Sequence, residues 1–159
     1  MTNCFKFVPH LLTMSFATPA ILNEIAQELD LGFRAFIHKE TGQLVFIPDL
    51  MNYPDIEIEA WKEETALLEK HPSDFEEICK WESWEAFRVM EAFVNEVSGD
   101  RRLQIRLLDA LEGKKPFSRF KYVIDNSGPY RQQWFDFKHQ RMMEYVAQQL
   151  EALAFKPGQ

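Results

Sequence analysis

The stretch Phe33-Arg34-Ala35-Phe36-Ile37-His38, Lys39-Glu40-Thr41-Gly42-Gln43, Leu44-Val45-Phe46-Ile47-Pro48 decides the class of this protein. Its two outer runs are apolar and rich in aromatic and β-branched residues, and the polar middle carries a glycine. Two antiparallel strands around a turn are the natural reading. A lone hairpin is marginal in water, so it needs a further strand or a covering helix. Residues 75–79 are read as that third strand.

On either side of the hairpin the hydrophobic spacing is helical. Thr18-Pro19 pairs a cap residue with a proline at the first helical position. Ile21, Leu22, Ile25 and Leu29 then share a face until Gly32 stops the helix. Residues 49–56, with Asn52, Pro54 and Asp55, read as a loop. An acidic helix over 57–70 places Trp61, Thr65 and Leu68 at helical spacing, and His71-Pro72-Ser73-Asp74 closes it. Ser83 is expected to cap the next helix, lined by Phe87, Met90, Val94 and Val97 and widened by Phe93. Over 101–112, Leu103, Leu107 and Leu111 form a stripe, with Gly113 expected in the left-handed C-terminal position. Residues 116–124 turn Phe117, Phe120 and Ile124 inward. After the turn Asn126-Ser127-Gly128-Pro129, the last helix spans 130–153. The expected fold is α+β, a small antiparallel sheet (hairpin plus third strand) followed by a mostly helical array.

At 159 residues, with 46% hydrophobic and 14% aromatic content, the chain has enough apolar material for one core. A single domain is expected over 18–155, between an N-terminal extension at 1–17 and a frayed end at 156–159. The extension is apolar enough to raise a signal peptide. Lys6 is its only charge, however, and Pro9-His10 interrupts the run, so a start at Met14 is the plainer alternative. No run reaches the length of a membrane span. Cys4 and Cys79 have no CxxC or Cys/His spacing. They read as reduced thiols of a cytoplasmic protein, neither a disulfide frame nor a zinc site.

The formal charge of −7 excludes a uniformly basic binder of nucleic acid or membrane surfaces. Its distribution is uneven. Residues 49–96 hold 14 acidic and 4 basic side chains, whereas 101–141 hold 10 basic and 4 acidic. The protein is bipolar along its sequence.

Three segments carry a resemblance. They are Arg88-Val89-Met90-Glu91-Ala92-Phe93, then Leu107-Leu108-Asp109-Ala110-Leu111-Glu112-Gly113 running on to Phe117-Ser118-Arg119-Phe120-Lys121, and finally Trp134-Phe135-Asp136-Phe137 with Arg141. Behind a Glu-Thr-Gly hairpin ending Ile47-Pro48-Asp49, this order resembles the uncharacterised protein family UPF 0158 over residues 21–153. The chain departs from the family at Lys80-Trp81-Glu82, where the family has a proline-containing turn. The resemblance implies a small bacterial soluble protein and carries no established activity.

Aromatics and cations alternate over 117–141, as a surface for single-stranded nucleic acid requires. Helical spacing offers the plainer account, with rings in the core and cations reaching outward. Arg88, Glu91, Arg119 and Lys121, joined by Arg131, Lys138 and Arg141, form the candidate set. It reads either as an ion-pair network between helices or as a pocket for an anion. Glu57, Glu59, Glu63 and Glu64 lack the spacing of a calcium loop and read as a solvated helix face. His10, His38, His71 and His139 are scattered, so no metal ligand set emerges.

Isolated glycines provide neither a P-loop nor a dinucleotide fingerprint, and no nucleophile sits with a base. No cofactor is expected. The leading expectation is a non-enzymatic interaction module that meets a protein partner or a second copy of itself. A nucleic-acid-associated protein using 101–141 is the alternative, and a small hydrolase the second alternative.

Overall fold

The computed structural model describes residues 17–154. Apart from Ala17, the N-terminal extension read over 1–17 lies outside the described residues, as does the end at 156–159. Along the chain run α1 (Pro19–Asp30), β1 (Phe33–His38), β2 (Leu44–Pro48), a 3-10 turn (Ile58–Trp61), α2 (Lys62–Lys70), β3 (Phe75–Ile78), α3 (Ser83–Glu96), α4 (Arg101–Glu112), α5 (Pro116–Asp125) and α6 (Tyr130–Ala154). The fold is α+β, as expected. Two compact units divide it, residues 17–80 with 143–154, and residues 81–142.

In the first unit, Thr18 Oγ1 accepts the amide of Ile21 at 3.3 Å and Pro19 opens α1. Ile25, Ala26 and Leu29 form its buried stripe. Gly32 follows at φ 89°, a left-handed conformation that a side chain would strain. A Cβ there would also stand 3.2 Å from the Asn52 amide nitrogen. That close approach has a purpose. Asn52 Nδ2 donates to the Gly32 carbonyl at 3.3 Å and the Tyr53 hydroxyl donates to the Leu31 carbonyl, so the loop after β2 ties down the end of α1.

The sheet has the order β2-β1-β3, antiparallel throughout. Phe36 lies opposite Val45 on one side, and Ala35 opposite Ile78 on the other. Alternation selects the inner face, where Ala35 and Ile37 are buried while Arg34 is exposed. Helix α1 lies against β1. At the hairpin tip, His38 Nδ1 accepts the amides of Glu40 and Thr41, both at 3.2 Å, so the imidazole organises the loop. The third strand is present and ends at Ile78.

The acidic segment 57–70 is not one helix. Trp61 has non-helical backbone angles (φ −113°, ψ 24°) between the 3-10 turn and α2. Its ring sits 5.9 Å from that of Phe33, and this packing holds the break.

In the second unit α3, α4, α5 and residues 130–142 of α6 enclose a separate core. Phe93 is its centre, with the rings of Trp134 at 5.2 Å and Phe137 at 5.5 Å, and Phe120 also meets Trp134, at 4.9 Å. Met90 and Val94 join it from α3, Val97 from the residue that follows α3, and Leu103, Leu107 and Leu111 from α4. Three details differ from the sequence reading. Glu82, not Ser83, caps α3, in a reciprocal box with Glu85. Phe117 is 44% exposed, with its edge toward Phe87, because its place on α5 lies at the margin of the stripe. Gly113 is extended (φ −88°, ψ −178°), and the left-handed residue is Lys115 at φ 52°.

Candidate functional site

The seven sequence candidates occupy several distinct places in the second unit. Arg88 lies over the exposed Trp84 ring, 5.2 Å from its centroid, and Glu91 is exposed further along the same helix. Arg131 lies 4.7 Å over Phe135 and Arg141 5.0 Å over Phe137. All three stacks are i,i+4 pairs, so helical spacing alone brings them together. Much of the alternation of rings and cations is therefore used in local stacking. Lys138 is half-buried on α6.

Lys121 and Arg131 are brought together by Asp125. Lys121 Nζ approaches Asp125 Oδ2 at 2.5 Å, and Arg131 Nε approaches Oδ1 at 3.2 Å. The hydrogen bond from Lys121, reinforced by that from Arg131, holds the Asp125 carboxyl below the usual carboxylate range. Asp125 was not among the sequence candidates, although Lys121 and Asp125 stand at the i,i+4 spacing of a helix pair.

Arg119 points elsewhere. With Arg106, Asp109, Lys114, Lys115, Ser118 and Tyr122 it lines an open cleft of about 560 Å³ where α4 and α5 pack together. No carboxylate among the described residues pairs with Arg106, Lys114, Lys115 or Arg119 in an ion pair. Asp109 is the one acid in the lining. Tyr122 is 69% exposed at its side. Helix α5 opens with Pro116 and has no side-chain cap, which leaves the positive end of its dipole uncovered.

The turn between the helices is tightly constrained. Lys115 is the one non-glycine residue with positive φ among the described residues, a conformation costing about 1–2 kcal/mol. The following proline disfavours the right-handed helical region for it. A Cβ at Gly113 would lie 1.6 Å from Arg119 Nη1, so a side chain there would have to displace the guanidinium. The guanidinium thus occupies the space a side chain at 113 would take. Sequence reading found Arg119 but not its neighbours. The Lys114-Lys115-Pro116 run, two cations held at a helix entry, was the available signal.

The first unit carries the opposite charge. Its described residues include 16 acidic and 5 basic side chains, against 9 acidic and 11 basic in the second unit. Glu28, Glu63 and Glu64 line a cleft of about 630 Å³ beside β2 and Trp61. Cys79 has no disulfide partner among the described residues, and partial burial of its sulfur, with the nearby Glu77 charge, pushes the thiol pKa up. Among the described residues no cluster of three His, Cys, Asp or Glu could hold a metal ion, and no helix is long and apolar enough to cross a membrane.

The Uncharacterised protein family (UPF0158) matches residues 12–158. The Pseudomonas aeruginosa protein named UPF0158 protein PA5073 is 26% identical over 138 residues, spanning 86% of this chain and 84% of that protein. No solved structure matches.

Proposed function

Because the chain belongs to the Uncharacterised protein family (UPF0158), which brings no activity with it, we propose from its charge and geometry that it is a non-enzymatic interaction module of the cytoplasm. One observation carries this reading, namely that opposite charge is segregated between two structural units. A protein surface of complementary charge, including that of a second copy, would be steered onto such a molecule and released by salt.

Light scattering and affinity capture at about 0.05 and 0.5 M salt test the proposal. Self-association or capture of a defined partner that weakens with salt supports it. A salt-insensitive monomer that captures nothing defeats it. A nucleic-acid role is the second reading, favoured by the cations of the α4–α5 cleft beside the exposed ring of Tyr122.

A further inference from the structure

We propose that the cleft between α4 and α5 is a nucleotide-phosphate site. Arg106, Lys114, Lys115 and Arg119 take the phosphate oxygens, and Tyr122 offers its ring to the base. This goes beyond the protein-partner reading and stands on separate observations.

Four cations line one cleft with one acid among them, and no carboxylate among the described residues forms an ion pair with them. Elsewhere in the same unit Lys121 and Arg131 are occupied by Asp125 and Arg141 stacks over Phe137, whereas the exposed Arg101 and Arg102 line no such cleft. The contrast matters because unpaired like charges held together repel one another, and an anion relieves that repulsion. Charge-assisted bonds from guanidinium to phosphate oxygens are short and strong, and Arg119 and Arg106 supply two planar forks. Ser118 adds a hydroxyl to the lining, and the uncapped start of α5 adds the positive end of a helix.

Two features of the backbone serve the same end. Lys115 is held in a left-handed conformation, and such strain gathers at binding sites. Gly113 leaves its side-chain volume to the Arg119 guanidinium. Tyr122, exposed at the cleft, gives a flat aromatic face, and stacking on such a face tolerates any base. The cleft volume lies within the range of small-molecule sites. A free nucleoside polyphosphate and a nucleotide within a single strand present the same chemistry, phosphate beside a stackable base.

The intact protein is titrated with inorganic pyrophosphate, ATP and a fluorescein-labelled oligo-uridylate at low salt, with poly-glutamate as the acidic-peptide control. Binding of ATP or the oligonucleotide, and weaker binding of pyrophosphate, is the expected result. Binding of ATP identifies a free nucleotide as a source, and binding of the strand alone identifies single-stranded nucleic acid.

Gly113→Ala is the decisive variant. It keeps the net charge, suits φ −88° and drives the Arg119 guanidinium from its seat. Its affinity should fall about ten-fold, the scale of one charge-assisted hydrogen bond, with an unchanged melting temperature. Arg119→Gln should lose as much, which keeps the test intact if the alanine variant is less stable. Tyr122→Ala should weaken ATP or the strand but leave pyrophosphate unchanged. The proposal is overturned by no binding of any phosphate probe, by affinities that the Gly113 and Arg119 variants leave unaltered, or by poly-glutamate binding as tightly as the oligonucleotide.

Discussion

Gln149 bonds both backbone groups of Cys79, a residue 70 positions earlier. Its Oε1 accepts the Cys79 amide at 2.8 Å and its Nε2 donates to the Cys79 carbonyl at 2.9 Å. A side-chain amide here copies the peptide of a neighbouring strand. It does so at the end of β3, which is an edge strand in the order β2-β1-β3. Unpaired strand edges invite unwanted pairing, and this one is finished by a residue of α6.

Replacing Gln149 with Ala removes two partly exposed hydrogen bonds and should cost about 1–2 kcal/mol in urea unfolding. Gln149→Glu keeps an acceptor for the amide but loses the donor and sets a negative charge against the carbonyl. It should therefore not restore the loss. Equal stability of both variants with the wild type would show that the bonds are not formed in solution.

Phe93 is buried between Trp134 and Phe137 at the centre of the second unit's core. Phe93→Ala leaves a cavity lined by rings that cannot collapse into it, at a cost of about 3–5 kcal/mol. Thermal melts should show the loss, together with changed tryptophan fluorescence because Trp134 loses one of its two edge-to-face neighbours. By contrast, Phe117→Ala removes a half-exposed ring and should cost far less in the same melt.

Arg34 grips Glu77 with a two-pronged contact, Nε to Oε1 at 2.8 Å and Nη2 to Oε2 at 2.9 Å, on the exposed face of β1 and β3. The hydrogen bond and the charge of Glu77 raise the Arg34 pKa, although both side chains remain open to water. Solvent screening limits the pair to about 0.5–1 kcal/mol. Glu77→Gln should lose that amount at low salt and almost nothing at about 1 M salt, where the screening length is about 3 Å. A loss that does not depend on salt would mean that charge is not its source.

Asp125 makes acid stability measurable. Its carboxyl is held low by Lys121 and then by Arg131, so the folded state prefers the charged form more than the unfolded state does. The stabilisation is complete above the unfolded carboxylate pKa of about 4 and disappears as the pH falls through the lower folded value. The stability gap between the wild type and Asp125→Asn should therefore stay constant from neutral pH down to about pH 5 and close below it. Urea midpoints across that range provide the check, and a gap that persists at the acid end would show that charge is not its source.

The hairpin and most helices could be read from local pattern alone. Ala35 and Ile37 alternate with outward residues, and Leu103, Leu107 and Leu111 recur at helical spacing, because a strand and a helix each write their period into the chain. Local chemistry also marked Thr18-Pro19 and Gly32 as helix ends. The break at Trp61 was not legible, since it depends on the ring of Phe33 from another element.

The candidate site divides along the same line. The stacks of Arg131 on Phe135 and Arg141 on Phe137 were implicit in i,i+4 spacing, and so was the pairing of Lys121 with Asp125. Which cations remain without a carboxylate was not implicit. Arg106 and Lys114 stand beside Arg119 only because α4 and α5 pack, and Gly113 matters only because a guanidinium six residues on fills its place. Composition and order settled the α+β class and the two opposed charge segments. Packing alone settled which of those charges share a cleft, because contacts between distant residues depend on volumes that no single segment contains.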